Sequence, residues 1–202
     1  MKSYLIIALL LCVAGSASAQ FKKGNVEMMV LGTAGWYGET FTVTDRWRPD
    51  PPKTTEYSTK FAMVALTPSW YFLDSFALEL EFGWHTADRA KPAYAIIPNI
   101  SFNYRLSELP LAAFARAGYG AAMGYVMPGM AQSFLLLRTS DKFDHTLMNA
   151  GVGLKYLAGG SGIVRIELNF RREIADYDST FDHIDATQDQ LALILGVGIL
   201  LQ

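Results

Sequence analysis

Apolar and polar residues alternate one by one along much of this chain, which is the spacing of a β-strand with two different faces. In the clearest segment, residues 76–85, one face carries only apolar side chains: Phe76, Leu78, Leu80, Phe82 and Trp84. The other face carries Ala77, Glu79, Glu81, Gly83 and His85. Residues 98–105, 163–171 and 190–201 alternate as clearly, and residues 26–37, 60–72, 111–122 and 147–156 less cleanly. The pattern predicts an all-β chain of eight strands.

Short and long connections alternate between these segments. Residues 73–75, 107–110 and 158–162 are short and rich in Asp, Ser, Pro and Gly, as tight hairpin turns are. Residues 38–59, 86–93, 122–143 and 175–187 form the longer connections. This arrangement is typical of an outer-membrane barrel, with short periplasmic turns and longer outer loops. An even number of strands leaves both chain ends in the periplasm.

The first nineteen residues, 1–19, have the pattern of a cleaved secretory signal peptide. Lys2 supplies the positive start, residues 5–13 the apolar stretch, and residues 17–19 (Ala-Ser-Ala) the small-residue cleavage site. Cleavage between Ala19 and Gln20 leaves residues 20–202 as a single barrel domain. The only cysteine, Cys12, is lost with the leader, so we expect no disulfide.

Composition argues against two classes of protein for the mature chain, nucleic-acid-binding proteins and helical membrane proteins. A net charge of −2, without a cluster of Lys and Arg, argues against a nucleic-acid partner. Hydrophobic residues make up 51% of the chain. The longest apolar candidate after the leader, residues 191–201, is nevertheless much shorter than the roughly 20 residues of a spanning helix. A membrane location therefore requires strands, which are stable in lipid only as a closed barrel.

Two kinds of barrel fit the alternation, because one sequence does not tell directly which face points outward. A soluble periplasmic lipocalin-like carrier would turn its apolar face inward around a ligand. A transmembrane barrel would turn that face to lipid, and the charges of both signs and the many glycines on the polar face favour it. Aromatic residues near strand ends also favour it, as membrane girdles do: Trp36, Tyr37, Trp70, Tyr71, Phe72, Trp84, Tyr94, Tyr104, Tyr125 and Tyr156.

Residues 68–80 read Pro-Ser-Trp-Tyr-Phe-Leu-Asp-Ser-Phe-Ala-Leu-Glu-Leu. The Tyr-Phe pair, the short polar turn and the Phe-Ala-Leu run resemble the strand–turn–strand signature of the small OmpA/OmpX-like outer-membrane β-barrel superfamily. The resemblance implies an eight-stranded antiparallel up-and-down barrel in the cell outer membrane. It also implies contacts with outer-membrane lipid, lipopolysaccharide and the outer-membrane assembly machinery. Such barrels usually end in an aromatic residue, whereas this chain ends Leu200-Leu201-Gln202.

Charged residues recur on the polar face of the predicted strands. By parity the inward-facing set is Glu27, Glu79, Glu81, His85, Arg105, Arg116, Lys155, Arg165, Glu167 and Arg171. An eight-stranded barrel has an interior only wide enough for side chains. Charges held there must pair, because an isolated buried ion is costly. We therefore expect a salt-bridge plug, with a gate or a narrow ion path as the alternative.

Catalytic and metal-binding patterns are weak in this sequence. His183 has Ser179, Asp182 and Asp185 nearby, and His145 has Asp144 and Ser140, which are the residue types of a lipid-modifying hydrolase. These combinations are common in polar loops, so we expect no catalytic residues, and no cofactor or metal. The acidic stretch from Asp176 to Asp189 fails the calcium-loop pattern, because Thr180 and Phe181 occupy two of the positions that the pattern defines.

The first long connection carries two arginines around a tryptophan. Arg46, Trp47, Arg48 and Lys53 are our candidates for contact with a surface ligand or partner protein. The sequence favours an integral outer-membrane protein with a structural, envelope-integrity or surface-interaction role. The alternatives are a small selective channel, an outer-membrane lipid-modifying enzyme and a soluble periplasmic carrier.

Overall fold

The structure, a computed structural model, describes residues 21–45, 53–87, 93–106, 109–123, 144–158, 161–178 and 182–202. Its strands are β1 (Val26–Asp45), β2 (Lys53–Leu73), β3 (Phe76–Ala87), β4 (Ala93–Arg105), β5 (Leu111–Met123), β6 (Asp144–Ala158), β7 (Gly162–Asp178) and β8 (Asp182–Leu201). Each strand pairs antiparallel with the next, and β8 pairs with β1. The predicted closed barrel of eight strands is confirmed. Within these described ranges, no helix is long and apolar enough to cross a membrane.

Successive side chains on each strand face opposite sides of the barrel wall. On β8 the outward face is apolar from Leu191 to Leu201, and Leu191 itself is 63% exposed. With a strand tilt of about 45°, this stretch spans about 24 Å, which matches the apolar band of a transmembrane barrel. Charged and amide side chains face inward and are buried. A lipocalin-like carrier requires the reverse arrangement, so the carrier alternative was wrong.

Seven of the aromatic residues predicted to form the girdle have described side chains, and six of them have the outward parity of their strands. Trp70, Trp84, Tyr94 and Tyr104 face outward and are exposed. Tyr71 instead lies inside the barrel and is fully buried, because it follows the outward-facing Trp70 by one position. Phe72 and Tyr156 also have outward parity and are half-buried. The side chains of Trp36, Tyr37 and Tyr125 lie outside the part of the chain whose side chains are described.

We call the end of the barrel that holds Ser75, Leu106 and Ser161 the turn end, and the opposite end the loop end. The chain's first described residues close the turn end. Gly24 N–H donates to the Tyr71 carbonyl at 2.7 Å, and Ser75 N–H donates to the Phe21 carbonyl at 2.9 Å. The Phe21 ring is buried and stacks on Tyr71 with 5.4 Å between ring centroids. Ser75 and Gly24 both have positive φ, which lets the backbone reverse in these turns.

The two hairpins at the loop end are longer than the sequence analysis predicted. β1 continues to Asp45 and β2 begins at Lys53, so most of the predicted connection 38–59 is strand. β7 continues to Asp178 and β8 begins at Asp182, so most of 175–187 is strand too. These segments were assigned to loops because most of their length lacks a sustained alternation between apolar and polar residues. The strict alternation of short and long connections was therefore wrong.

Because β7 and β8 are longer than predicted, the acidic stretch and His183 lie in strands. Asp176 and Asp178 belong to β7, and Asp182, His183, Asp185 and Asp189 belong to β8. The backbone of His183 pairs with Thr44 on one side and with Asp178 on the other. These residues were assigned to a polar loop, and that assignment was wrong. Ser179 and Ser140 lie outside the described residues, so both candidate hydrolase groups remain untested.

Prolines explain two of the interruptions in the hydrogen-bonded ladders. The β2–β3 ladder has no pair at Pro68, and the β4–β5 ladder has none at Pro98. Proline has no backbone N–H to donate to a neighbouring strand. Each proline still aligns with its other neighbour, Pro68 with Met28 and Pro98 with Leu80. The wall is therefore weakened on one side of each proline only.

Candidate functional site

A ring of ion pairs occupies the middle of the barrel. Arg116 on β5 donates to Glu79 and Glu81 through Nη1, and to Glu167 through Nε at 2.8 Å. Arg165 on β7 donates to Glu79 at 3.0 Å and, through Nη2, to Glu167 at 2.7 Å. Glu79, Arg116, Glu167 and Arg165 thus form a closed cycle of alternating charge. The cycle ties β3, β5 and β7 together across the lumen.

Arg171 extends this network toward the loop end. Its Nη2 lies 2.5 Å from Oε1 of Glu81, and its Nη1 lies 3.0 Å from Nε2 of His85. The same Nη1 lies 3.2 Å from the sulfur of Met63 on β2. Arg171 therefore reaches from β7 to β2 and β3, and covers the side of the ring that faces the loop end.

A second ion pair lies at the turn end. Lys155 Nζ is 2.8 Å from each carboxylate oxygen of Glu27, and Tyr71 OH donates to Glu27 at 2.8 Å. The Nζ atom also lies 5.5 Å from the centre of the Phe21 ring and 5.3 Å from that of Phe114. These aromatic faces stabilise the ammonium group in place of water.

An amide ladder that the sequence analysis did not single out supports the ring. Asn169 Nδ2 is 2.7 Å from both Glu167 Oε1 and Asn149 Oδ1, and Asn149 Nδ2 donates to Asn99 at 2.7 Å. All three asparagines are buried. They share the inward parity of their charged neighbours, so parity is the signal that could have identified them. Their number of partners depends on contacts between non-adjacent strands, which parity does not give.

Glycines make room for these long side chains. A Cβ atom at Gly151 would overlap the carboxylate of Glu167 and approach Asn169 Nδ2 to 3.0 Å. A Cβ atom at Gly153 would come within 2.8 Å of the Phe114 ring. The glycines of the polar face therefore let the strands pass close to the charged plug.

The structure places the predicted inward residues as follows. Glu27, Glu79, Glu81, Arg116, Lys155, Arg165, Glu167 and Arg171 are buried and joined in the contacts above, with His85 beside Arg171. Arg105 is half-buried at the turn end and lies outside the ring. Arg46, Trp47 and Arg48 lie outside the described residues, as do Ala19 and Gln20. Lys53 begins β2, and its side chain is outside the described part.

The charges of the network are equal in number. Four carboxylates (Glu27, Glu79, Glu81, Glu167) face four cations (Arg116, Lys155, Arg165, Arg171), and each of these side chains is at most 4% exposed. Among the described residues, no group of three His, Cys, Asp or Glu side chains is placed to hold a metal ion. The arrangement stabilises and fills the lumen.

A closed barrel with an apolar exterior and a charged, filled interior belongs to the class of transmembrane β-barrels. The chain has the fold of the small eight-stranded outer-membrane barrels, as the OmpA/OmpX-like resemblance predicted. The crystal structure of the outer membrane protein OprG from Pseudomonas aeruginosa is similar at a TM-score of 0.51 and 10% identity, covering 91% of this chain and 98% of that one. The N-terminal β-barrel domain of OprF from the same organism gives a TM-score of 0.48 at 14% identity, covering 89% and 98%. No family model and no curated protein matches the sequence.

Proposed function

We propose that this protein is a non-enzymatic outer-membrane barrel that holds a binding sheet above the membrane. The sealed barrel is the anchor, and the partner is a protein outside the cell. The observation that supports this proposal is a tall sheet at the loop end with an open edge.

The sheet consists of the upper parts of β7, β8, β1 and β2. These strands have 17 to 21 residues, whereas β3 to β6 have 12 to 15. β2 pairs with β1 as far as Lys53, but its pairing with β3 ends at Phe61. Within the described ranges, no strand pairs with residues 53–60 on the side away from β1.

An open strand edge is a template for another strand. Residues 53–60 read Lys-Thr-Thr-Glu-Tyr-Ser-Thr-Lys, and Thr54, Glu56, Ser58 and Lys60 are exposed. Polar and charged side chains keep such an edge soluble. An extended segment of a partner protein fits this edge. Arg46, Trp47 and Arg48 lie between β1 and β2 in the sequence, and we propose that they contribute to selectivity for this partner.

The filled lumen is the argument against the channel alternative. The ring of Glu79, Arg116, Glu167 and Arg165 leaves the middle of the barrel with balanced, mutually paired charges. An ion would have to displace buried pairs, at a cost of several kcal/mol. We accordingly assign function to the outer surface rather than to the lumen.

The test shortens the β1–β2 hairpin and leaves the barrel intact. Thr40 pairs with Glu56, so residues 41–55 can be replaced by an Asn-Gly turn without a change of register. The full-length and shortened proteins are expressed in a Gram-negative host without the gene, and cell adhesion to an immobilised mixture of extracellular proteins is measured beside envelope resistance to detergent.

We expect the shortened protein to keep heat-modifiable mobility and to lose adhesion. A matched variant with Arg46, Trp47 and Arg48 replaced by serine keeps the edge, and we expect it to retain part of the adhesion. If the shortened protein adheres as well as the full-length one, the sheet is not the binding surface. If it alters detergent resistance alone, the role is envelope integrity.

A further inference from the structure

Four outward aromatic side chains form a cluster near the turn end of the barrel wall. Phe72 on β2, Phe76 on β3 and Phe102 on β4 follow each other around the wall. Their ring centroids are 6.5 Å apart for Phe72 and Phe76, and 4.9 Å apart for Phe76 and Phe102. Trp70 lies one outward position further along β2, at 6.4 Å from Phe72. We call these four residues the aromatic patch.

The aromatic patch lies on one side of the barrel. The outward side chains nearest the turn end are aliphatic on β7, β8 and β1, where they are Val164, Leu201 and Val26. The corresponding positions of β5 hold Ala113 and Ala115. Within the described ranges, contacts between outward aromatic rings are confined to β2, β3 and β4. A girdle surrounds a barrel, so a girdle alone does not account for this cluster.

Two lysines lie beside the β2–β3 turn, at the end of the wall that carries the aromatic patch. Lys23 N–H donates to Oδ1 of Asp74 in this turn at 2.9 Å. Asn25 N–H donates to the Lys22 carbonyl at 3.1 Å, which closes a turn around the two lysines. Both lysine side chains are exposed. These contacts, with those of Phe21 described above, fix the backbone of the lysine pair next to the patch.

The exposed charges at the turn end have an excess of positive sign. In the described part of the chain they belong to Lys22, Lys23 and Asp74, so two cations face one anion. The described exposed charges at the loop end are balanced, because Arg172 pairs with Asp189 and a second group of opposite signs is formed by Glu56 and Lys60. Basic residues at a membrane surface attract anionic lipids. Of the two ends, the turn end is therefore suited to an anion.

This combination of rings and lysines matches the chemistry of a phospholipid with a net negative charge. Aromatic side chains at a membrane–water interface lie at the level of the lipid head groups. Lysine side chains at this level pack their stems on apolar surface and extend their ammonium groups toward water and phosphate. A small soluble anion would contact the lysines alone, whereas a lipid also covers the rings. An anionic glycerophospholipid is therefore the occupant that fits both parts.

We propose that the aromatic patch, together with Lys22 and Lys23, binds an anionic glycerophospholipid in the membrane leaflet at the turn end. The phosphate lies against the two ammonium groups, and the acyl chains run along the rings of the patch. The short turns are expected on the periplasmic side, so this is the periplasmic leaflet. The proposal is independent of the surface-binding role, because it concerns the opposite end of the barrel.

The test measures the lipid composition around a single tryptophan. Trp36, Trp47 and Trp84 are replaced by phenylalanine, so that Trp70 is the only tryptophan left. The protein is refolded into vesicles of phosphatidylcholine and phosphatidylglycerol, and one lipid at a time carries bromine on its acyl chains, which quenches nearby tryptophan. One net positive charge corresponds to about fivefold enrichment of the anionic lipid. We therefore expect phosphatidylglycerol to quench Trp70 as if enriched about fivefold, and high salt to reduce this preference.

A second single-tryptophan protein, which keeps Trp84 instead of Trp70, is the positional control. Trp84 faces outward toward the loop end of β3 and is 40% exposed, compared with 52% for Trp70. We expect the two brominated lipids to quench Trp84 equally. Equal quenching of Trp70 by the two lipids would overturn the proposal. A preference of the same size at both tryptophans would overturn it too, because the attraction would then not belong to this patch.

Charge variants of the Trp70 protein test the lysines. Lys22→Ser/Lys23→Ser should abolish the preference for phosphatidylglycerol, whereas Lys60→Ser, at the exposed lysine of the loop end, should leave it unchanged. Asp74→Asn keeps an oxygen acceptor for Lys23 N–H and removes the negative charge, so we expect about fivefold stronger preference. A preference that survives the loss of both lysines, or that Asp74→Asn does not change, would contradict the proposal.

A fourth variant tests the rings. Phe76→Leu/Phe102→Leu keeps an apolar surface and all charges but removes two rings of the patch. We expect the preference for phosphatidylglycerol at Trp70 to fall at least about twofold. An unchanged preference would contradict a site that includes the patch. Heat-modifiable mobility on gels confirms that each variant is folded.

Discussion

Replacing Lys155 by methionine is the sharpest test of the buried network, because Lys155 has a single carboxylate partner. The substitution keeps a long side chain between Phe21 and Phe114, and removes the charge that lies 2.8 Å from both oxygens of Glu27. Glu27 is fully buried, and Tyr71 remains its only hydrogen-bond donor among these groups. Leaving one member of a buried pair without its partner costs about 3–5 kcal/mol.

The complementary substitution, Glu27→Gln, leaves the ammonium group unpaired, and we expect a similar cost of about 3–5 kcal/mol. The double variant Lys155→Met/Glu27→Gln has neither charge, so we expect a cost of only about 1–2 kcal/mol and a coupling energy of about 3 kcal/mol or more. Arg172→Met, at the exposed pair with Asp189, is the control and should leave the stability unchanged within error.

The free energy of unfolding is measured by urea titration of the barrel refolded in short-chain phosphatidylcholine vesicles, with tryptophan fluorescence as the signal. Each single variant should lower the midpoint by about 1 M or more. Additive effects, with the double variant as unstable as the sum of the two single variants, would refute the pairing of Lys155 with Glu27.

Three further substitutions test other contacts. Gly151→Ala should destabilise the barrel by about 1–3 kcal/mol in the same titration, because the new methyl group overlaps a buried carboxylate. Gly32→Ala is the control. Its Cβ lies 3.8 Å from the nearest atom, so we expect little change in the free energy of unfolding. Tyr71→Phe removes a buried hydroxyl donor and should cost about 1–3 kcal/mol; no measurable change would contradict its hydrogen bond. Phe21→Ala should open the turn end, so that Lys155 becomes reactive toward a water-soluble amine reagent in the folded protein; an unreactive Lys155 would mean that Phe21 does not seal it.

Alternation alone was enough to predict the strand number and the two faces of the wall. In residues 76–85 every second side chain is large and apolar, since one face meets lipid and the other the lumen. If the sheet stands above the membrane as proposed, both of its faces are in water, and this signal disappears there. Residues 53–60 lack the alternation, and residues 40–44 (Thr-Phe-Thr-Val-Thr) show it over only five positions, although both stretches are strand. The tall hairpin was missed for that reason.

The sequence alone did not predict which charged side chains pair with each other inside the lumen. Parity gave the inward charges, but the choice of partner depends on which strands meet across the lumen. Arg116 contacts Glu79 and Glu167, whose strands are each two positions away around the barrel. Tyr71 could have been assigned inward by parity, since it alternates with Trp70. Its aromatic character led to the girdle assignment instead.

The most direct test of the account as a whole is gel electrophoresis of the outer-membrane fraction, with heated and unheated samples side by side in SDS. A closed transmembrane barrel keeps its hydrogen-bonded wall in SDS until it is heated. We predict an outer-membrane band whose mobility changes on boiling, and the same change for the shortened-hairpin variant. A protein in the soluble fraction, with one mobility before and after heating, would contradict the transmembrane barrel and every proposal that rests on it.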